Sequence, residues 1–471
     1  MILPENITKH KLFIPGISIL ICVLAFILRF YRFHEFVGYH QDQVRDLLFI
    51  KSHFDSGTPI LLGPKTSVGN IFLPPFWYYL MAGVYLVSHA AWAPALLVVI
   101  LSSLTTLIIF FLARHFFNTT TAIVSALLYA VSPLSIEYGR FAWNPNPVPF
   151  FAALTFLALF FYYEKRRVTF FYLALASALL VFQLHYFQGF IIALVCGVFF
   201  VLRPLKKAPD YIISLLLVIL FLSPFLYYEL SHGFENIQTA SSFLSHTGSQ
   251  GKYFGINNFI KSLFIDYPQF IAKVLFFSNK WAGRIMFVVL NLYILFKWYR
   301  SFQKKKFSNT VLLSLIYVVP YLALLIYRQW IIDYYVLVMI VPVIILFVIF
   351  LYDVLPKQIA HASVFILVLL NLMYSPAFRT PQFMLPFFEK VNTTIIGHNA
   401  SPTCIRYSIA TQELTFAQVG VNYLYTTSPH PNNTQCLHHY ILCENSLCPK
   451  HVSEQNKVAQ NDSLNLRFIE L

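Results

Sequence analysis

The sequence predicts an all-α polytopic membrane protein, with about 11 transmembrane helices and a small extracytoplasmic C-terminal α/β domain. Three observations predict this. The 471 residues are 58% hydrophobic and only 11% charged, where a soluble domain carries roughly a quarter charged residues. Apolar runs recur along most of the chain, each near the roughly 20 residues that cross about 30 Å of hydrocarbon. Basic residues gather in short clusters between these runs. The net charge of +14 therefore reports topology, by the positive-inside pattern, and not a nucleic-acid partner.

The first apolar run, 12–33, is too long for a signal-peptide core and no small-x-small site follows it, so it reads as an uncleaved span. Lys9 and Lys11 precede it, which places the N-terminus in the cytoplasm. An external loop, 34–92, comes next. Its Gly-rich connector, 62–70, lacks the lysine-serine ending of a nucleotide-binding P-loop. The run Pro74-Pro75-Phe76-Trp77-Tyr78-Tyr79-Leu80 suits a helix lying in the membrane interface. Further spans are expected at 93–113, 121–137, 147–163, 169–185, 189–203, 211–228, 282–300, 310–327, 334–352 and 361–375. Alternation from the first span puts Arg114, Lys165-Arg166-Arg167, Arg203 with Lys206-Lys207, and Lys304-Lys305-Lys306 all on the cytoplasmic side.

Two longer pieces then lie outside. Residues 229–280 read as interfacial helices and a loop. Residues 376–471 lose the membrane-like composition and read as a separate domain beside the membrane domain 1–375, with short strands at 419–425 and 439–442. No internal repeat of the inverted-transporter kind stands out. Cys22 and Cys196 fall inside spans, whereas Cys404, Cys436, Cys443 and Cys448 all fall in the external tail. Four cysteines in an oxidising compartment predict disulfides, with three possible connectivities. The rival is a zinc site with His438, His439 and His451, for which the spacing of Cys443 and Cys448 is poor.

The polar chemistry collects at one membrane face. In Tyr39-His40-Gln41-Asp42-Gln43-Val44-Arg45-Asp46, a helix would put Asp42 and Asp46 on one side with Arg45 beside Asp42. Such a cluster can take a proton from a hydroxyl or hold a cation; the plain alternative is a solvated loop with local ion pairs. Arg140, His185 and Arg328 end their spans on the same face. Singly, the two arginines read as interface anchors and the histidine as a helix end. Together with Asp42 and Arg45 they suit a lipid-linked phosphate and a reacting hydroxyl.

Asp42-Gln43-Val44-Arg45-Asp46 after a first span resembles the Asp-Glu-x-Arg-Tyr signature of GT-C glycosyltransferases of the family 39 kind, the protein O-mannosyltransferase and aminoarabinose-transferase-like enzymes. Pro74 to Leu80 resembles their Pro-Pro-Leu-Tyr-Tyr-Trp-Leu segment. Ser132-Pro133 with Tyr138 to Ala142 resembles the next loop, and Tyr334-Tyr335 with Pro342 a late helix. The order of these features matches over about 10–375, and the tail has no match. Gln43 departs from the signature's second acid, Leu73 stands where many relatives have lysine before the double proline, for which Lys65 is a candidate substitute, and Asn144 or Asn146 stands where an acid is frequent.

The resemblance implies a cell-membrane enzyme that moves a sugar from a polyprenyl-phosphate carrier to an acceptor hydroxyl of a protein, lipid or polysaccharide, on the extracytoplasmic face and with inversion. It implies Asp42 as general base, Arg45 and Asp46 in support, and Arg140, His185 or Arg328 at the carrier phosphate. His40, Lys65, Asn144 and Tyr334 become candidate substrate contacts. No cofactor and no metal are expected. The rival classes are a transporter or flippase of lipid-linked sugars, which would carry polar groups at mid-membrane, and a non-catalytic assembly subunit.

Overall fold

The computed structural model describes residues 5–66, 71–247, 256–327, 332–381, 384–397, 403–408, 438–444, 448, 457–461 and 466–470. In chain order, α1 is Glu5–Phe30, α2 Phe33–Phe36, α3 Gln41–Ser56, α4 Phe76–Tyr85, α5 Ala93–Phe116, α6 Thr119–Val131, α7 Pro133–Tyr138, α8 Val148–Lys165, α9 Val168–Leu184 and α10 Tyr186–Leu202. Then come α11 Ala208–Ser231, α12 Glu235–Thr247, α13 Ile256–Lys261, a π-helical turn Ser262–Asp266, α14 Tyr267–Leu275, α15 Lys280–Gln303 and α16 Asn309–Tyr327. Two short 3-10 turns, Asp333–Tyr335 and Leu337–Met339, lead into α17 Ile340–Val354, followed by α18 Lys357–Met373 and α19 Met384–Gly397.

Among the described residues six stretches are long and apolar enough to cross a membrane: α5, α8, α11, α15, Leu337–Val354 and Lys357–Phe378. Five shorter apolar helices accompany them, Pro15–Phe30, Thr119–Val131, Val168–Leu184, Tyr186–Leu202 and Asn309–Leu324. Every expected span coincides with one of these. The span expected at 121–137 is broken, because Ser132 and Pro133 separate α6 from α7. Proline lacks the amide hydrogen that would continue α6 and holds the preceding residue out of the helical region. The 13 residues of α6 reach only about 20 Å.

The core is centred on α17: 78% of the window Leu337–Val354 is buried, against 6% for α11. Ile212, Ile213, Leu215, Leu216, Ile219 and Leu220 of α11 point outward instead, as a lipid-facing helix requires. The loop expected at 34–92 holds α3 and α4. They pack together, with the Phe49 and Tyr78 rings stacked at 4.2 Å.

The C-terminal part is a four-stranded sheet, ordered β1-β2-β4-β3, of β1 Thr403–Ser408, β2 His438–Glu444, β3 Lys457–Asn461 and β4 Leu466–Glu470. β1 and β2 are parallel and the other pairs antiparallel. The strand expected at 439–442 is the centre of β2; the one expected at 419–425 lies outside the described residues. Cys443 and Cys448 form a disulfide, which selects one pair of the four tail cysteines. Cys436 lies outside the described residues, and Cys404 sits on β1. The tail is docked onto the segment after α1 through α19: His34 pairs with Glu389 at 2.8 Å, and the Tyr39 and Phe388 rings meet at 5.3 Å.

Candidate active site

The polar face is built outward from the start of α3. His40 caps the helix in an extended conformation, and Gln43 Oε1 accepts the His40 backbone N–H at 3.0 Å. Asp42 sits in the first turn of α3, at the positive end of the helix dipole. The expected i, i+4 register holds. Arg45 donates from Nη1 to Asp42 Oδ1 at 2.8 Å, and from Nε and Nη2 to Asp46 Oδ1 at 2.9 and 2.7 Å.

The two acids differ in setting. The Asp46 side chain is 2% exposed and that of Asp42 is 42% exposed. Asp46 also accepts from Trp77 Nε1 at 2.9 Å and from the Tyr78 hydroxyl at 3.0 Å, both on α4. Burial pushes the Asp46 carboxyl up to about 6, against the pull of Arg45, Trp77 and Tyr78. Burial and the Asp46 charge keep the Tyr78 phenol protonated, so it remains a donor. The Trp77 and Tyr78 pairing was not legible beforehand; the only hint was an aromatic run next to an acidic cluster.

A wall of rings runs from this corner. Trp143 lies 4.5 Å from Tyr334, and His185 lies 5.8 Å from Tyr334 and 5.1 Å from Tyr335. The Tyr334 phenol is raised by burial, by Tyr335 and by the charge of Asp42, which puts Tyr334 and Asp42 in one field. His185 forms the break between α9 and α10. Its Nδ1 accepts the Gln188 N–H at 3.4 Å, leaving the ring proton on Nε2. With Nδ1 engaged in this way, His185 offers its Nε2–H as a donor. Gln188 holds the late loop with both ends of its amide, to Tyr334 O and from Val338 N–H at 2.8 Å each.

Arg140 takes a different place from the one expected. It is 3% exposed, and its guanidinium donates to the carbonyls of Arg29 at 3.1 Å, Pro376 at 3.3 Å and Tyr31. It also lies 3.8 Å over the Phe36 ring. Burial and the charges of Arg29 and Arg32 push it down to about 10. All three guanidinium nitrogens are engaged by backbone, so Arg140 ties three segments together instead of facing a phosphate. Gly139 permits this: a Cβ there would stand 2.6 Å from Ser135 O and 2.8 Å from Arg29 Nε.

Among the other candidates, Asn144 donates to Leu184 O at 2.7 Å, and Lys65 is exposed on a short bridge to Phe72. Arg328 lies outside the described residues. A second charged pole was missed. Lys273 of α14 pairs with Asp333, and Lys273, Arg379 and Asp333 lie close enough for their charges to act on Glu137. Tyr138 lies within the fields of Asp333, Glu137 and Tyr334 and so connects this pole to the ring wall. Lys273 sits inside an apolar stretch of residues 229–280, the one local signal that could have marked it. Among the described residues no three His, Cys, Asp or Glu side chains converge as a metal site would.

Residues 73–228 match the family model described as dolichyl-phosphate-mannose-protein mannosyltransferase. The fold matches ArnT from Cupriavidus metallidurans bound to undecaprenyl phosphate, with a TM-score of 0.59 at 12% identity over 97% of this chain and 98% of that one. The chain shares the ArnT fold over nearly its whole length. The apo form of the same ArnT matches with a TM-score of 0.59 at 11% identity, over 99% of this chain and 98% of that one. An archaeal oligosaccharyltransferase from Archaeoglobus fulgidus aligns at a TM-score of 0.49 and 14% identity, over 87% of this chain and 61% of that one. No curated protein matches by sequence. A coverage of 97% reaches into residues 376–471, so the likeness of fold to ArnT extends past 375 into the tail.

Proposed function

We propose that this protein transfers a sugar from a polyprenyl-phosphate carrier to an acceptor hydroxyl at the extracytoplasmic face, with inversion at the anomeric carbon. The observation that carries the reading is the asymmetry of the acid pair inside a GT-C frame. Asp46 is sealed by donors, whereas Asp42 is open to solvent, beside Tyr334, with Oδ2 free of hydrogen bonds among the described residues. The relative seen with undecaprenyl phosphate supports a polyprenyl carrier.

In this reading Asp42 removes the acceptor proton as the hydroxyl oxygen attacks the anomeric carbon. The bond from that carbon to the phosphate oxygen breaks, and polyprenyl phosphate leaves as a monoester. The Asp42 proton then passes to solvent. Arg45 aims Asp42 through its Nη1 contact. The departing phosphate gathers charge at the opposite pole, where Lys273 and Arg379 supply cations and His185 Nε2–H a neutral donor; Arg328, outside the described residues, stays a candidate for the phosphate from its sequence position alone. Tyr334 and Asn144 border the sugar between the poles, and His40 and Lys65 border the acceptor entrance.

The test is turnover of purified protein with a panel of radiolabelled polyprenyl-phosphate sugars, in detergent and in vesicles. Label passing to a hydroxyl acceptor supports the reading. Movement of intact carrier across the vesicle without transfer would establish a flippase instead.

A further inference from the structure

Gln43 has no role in the chemistry above, yet it is 6% exposed and uses both ends of its side chain. Its Oε1 accepts the His40 N–H at 3.0 Å, closing the first turn of α3. Its Nε2 donates to the carbonyl of Ala142 at 3.0 Å, 99 residues further on. Either glutamine or glutamate can make the first contact at this helix position. Only the amide also carries hydrogens for the second. Gln43 lines a small cavity together with Asp46, Trp77, Gly38 and Ala142, so a carboxylate here would face both a carbonyl oxygen and the Asp46 carboxylate.

We propose that Gln43 is a positioning residue: its amide ties the first turn of α3, and therefore Asp42, to the 139–147 loop that carries Trp143 and Asn144. The consequence for turnover rests on the transfer reading above. Asp42 immediately precedes Gln43, and Trp143 immediately follows Ala142 and touches Tyr334. The single amide therefore sets the distance between the base and the ring wall beside it.

Two variants of the full chain separate this from simple packing. Gln43→Met keeps the volume and removes both hydrogen bonds. Gln43→Glu keeps the contact to His40 and loses the one to Ala142 until the carboxyl is protonated, after which its hydroxyl can donate to Ala142 O. Two readouts are taken from about pH 6 to 8: kcat and KM with a radiolabelled polyprenyl-phosphate sugar, and amide hydrogen exchange, corrected for intrinsic rates, in segments 37–47 and 139–147.

Gln43→Met is expected to lower kcat by about tenfold with carrier KM within about twofold, the mark of lost alignment. Gln43→Glu should be worse at pH 8 and regain about tenfold relative to wild type by pH 6, since burial beside acids raises a carboxyl pKa. Both segments should exchange faster in both variants, with Gln43→Glu returning toward wild type as pH falls. Wild-type exchange in Gln43→Met, or a Gln43→Glu defect that is flat with pH, overturns the proposal. Exchange reports the tie without turnover, so a chain that transfers no sugar but shows this exchange pattern keeps the tie and rejects the transfer reading.

Discussion

Arg45 grips Asp46 with two nitrogens, Nε at 2.9 Å and Nη2 at 2.7 Å, while its third reaches Asp42 at 2.8 Å. One acid thus fixes the guanidinium from the buried side, and the guanidinium fixes the other acid at the surface. Asp46 does more than orient Arg45. With Trp77 and Tyr78 also donating to it, it joins α3 to α4, so its replacement should disturb the whole corner.

Protonation of Asp46 should move turnover and stability in opposite directions. Its carboxyl sits at about 6 in the folded chain, above the ordinary value of about 3.9. A raised carboxyl adds stability that is complete below about pH 4 and is lost as pH rises through about 6. The swing is on the order of 3 kcal/mol. The proton also occupies an oxygen that accepts from Arg45, Trp77 or Tyr78, loosening the grip on Asp42. Between about pH 7 and 5, wild type should therefore gain thermal stability relative to Asp46→Asn while its turnover falls. Stability curves of the two proteins that stay parallel across this range would contradict the assignment.

The Cys443–Cys448 disulfide should stabilise the tail with little effect on transfer. It spans five positions. The chain-entropy gain for so small a loop is about 2 kcal/mol. Cys443 is fully buried beside Ile441, so the bond also anchors the end of β2. Cys448→Ser should make the tail more sensitive to protease and leave the rate per folded molecule within about twofold. Peptide mass spectrometry of the wild type should recover the 443–448 link, and free thiols at both positions in protein taken from its membrane would rule it out.

What was legible in the sequence follows from the range of each signal. The spans came from hydropathy, and the pairing of Asp42 with Arg45 from helical register, both read within a few residues. The break at Pro133 was written in the chain but averaged away, since a hydropathy window ignores a missing amide hydrogen. The neighbours of Arg140 were not legible, because the carbonyls of Arg29, Tyr31 and Pro376 reach it only after α1, α2 and the segment following α18 have packed. Lys273 and Asp333, 60 residues apart, were invisible for the same reason. Aromatic side chains with polar tips near an acid are a partial remedy: Trp77 and Tyr78 are buried, and such tips need partners.

The orientation of the bundle is open to direct labelling. Thr58 is exposed between α3 and α4, and Lys305 is exposed between α15 and α16. The basic clusters put Lys305 in the cytoplasm and the α3–α4 loop outside. In a background without other reactive thiols, Thr58→Cys on intact cells should react with an impermeant maleimide, and Lys305→Cys should react only after lysis. Reversed labelling would place Asp42 on the cytoplasmic side and remove the basis for an extracytoplasmic acceptor.

Asp42 carries the heaviest prediction. Asp42→Asn preserves size and the contact from Arg45 Nη1 while removing basicity. Transfer should fall by a factor of about 100 to 10,000, the usual share of a general base. Carrier affinity should change by less than about threefold, because the phosphate is assigned to groups at the opposite pole. Asp42 is half-exposed, so folding should tolerate the change, and thermal unfolding within a few degrees of wild type would show that the chemistry alone was affected. Asp46→Asn makes the contrast, losing stability as well as rate through Arg45, Trp77 and Tyr78. Turnover and carrier binding of both variants, measured with and without a chelator, separate the possible roles. Near-normal turnover by Asp42→Asn would end its assignment as base, and a wild-type rate that collapses only with chelator would instead mean that the two acids hold a metal ion.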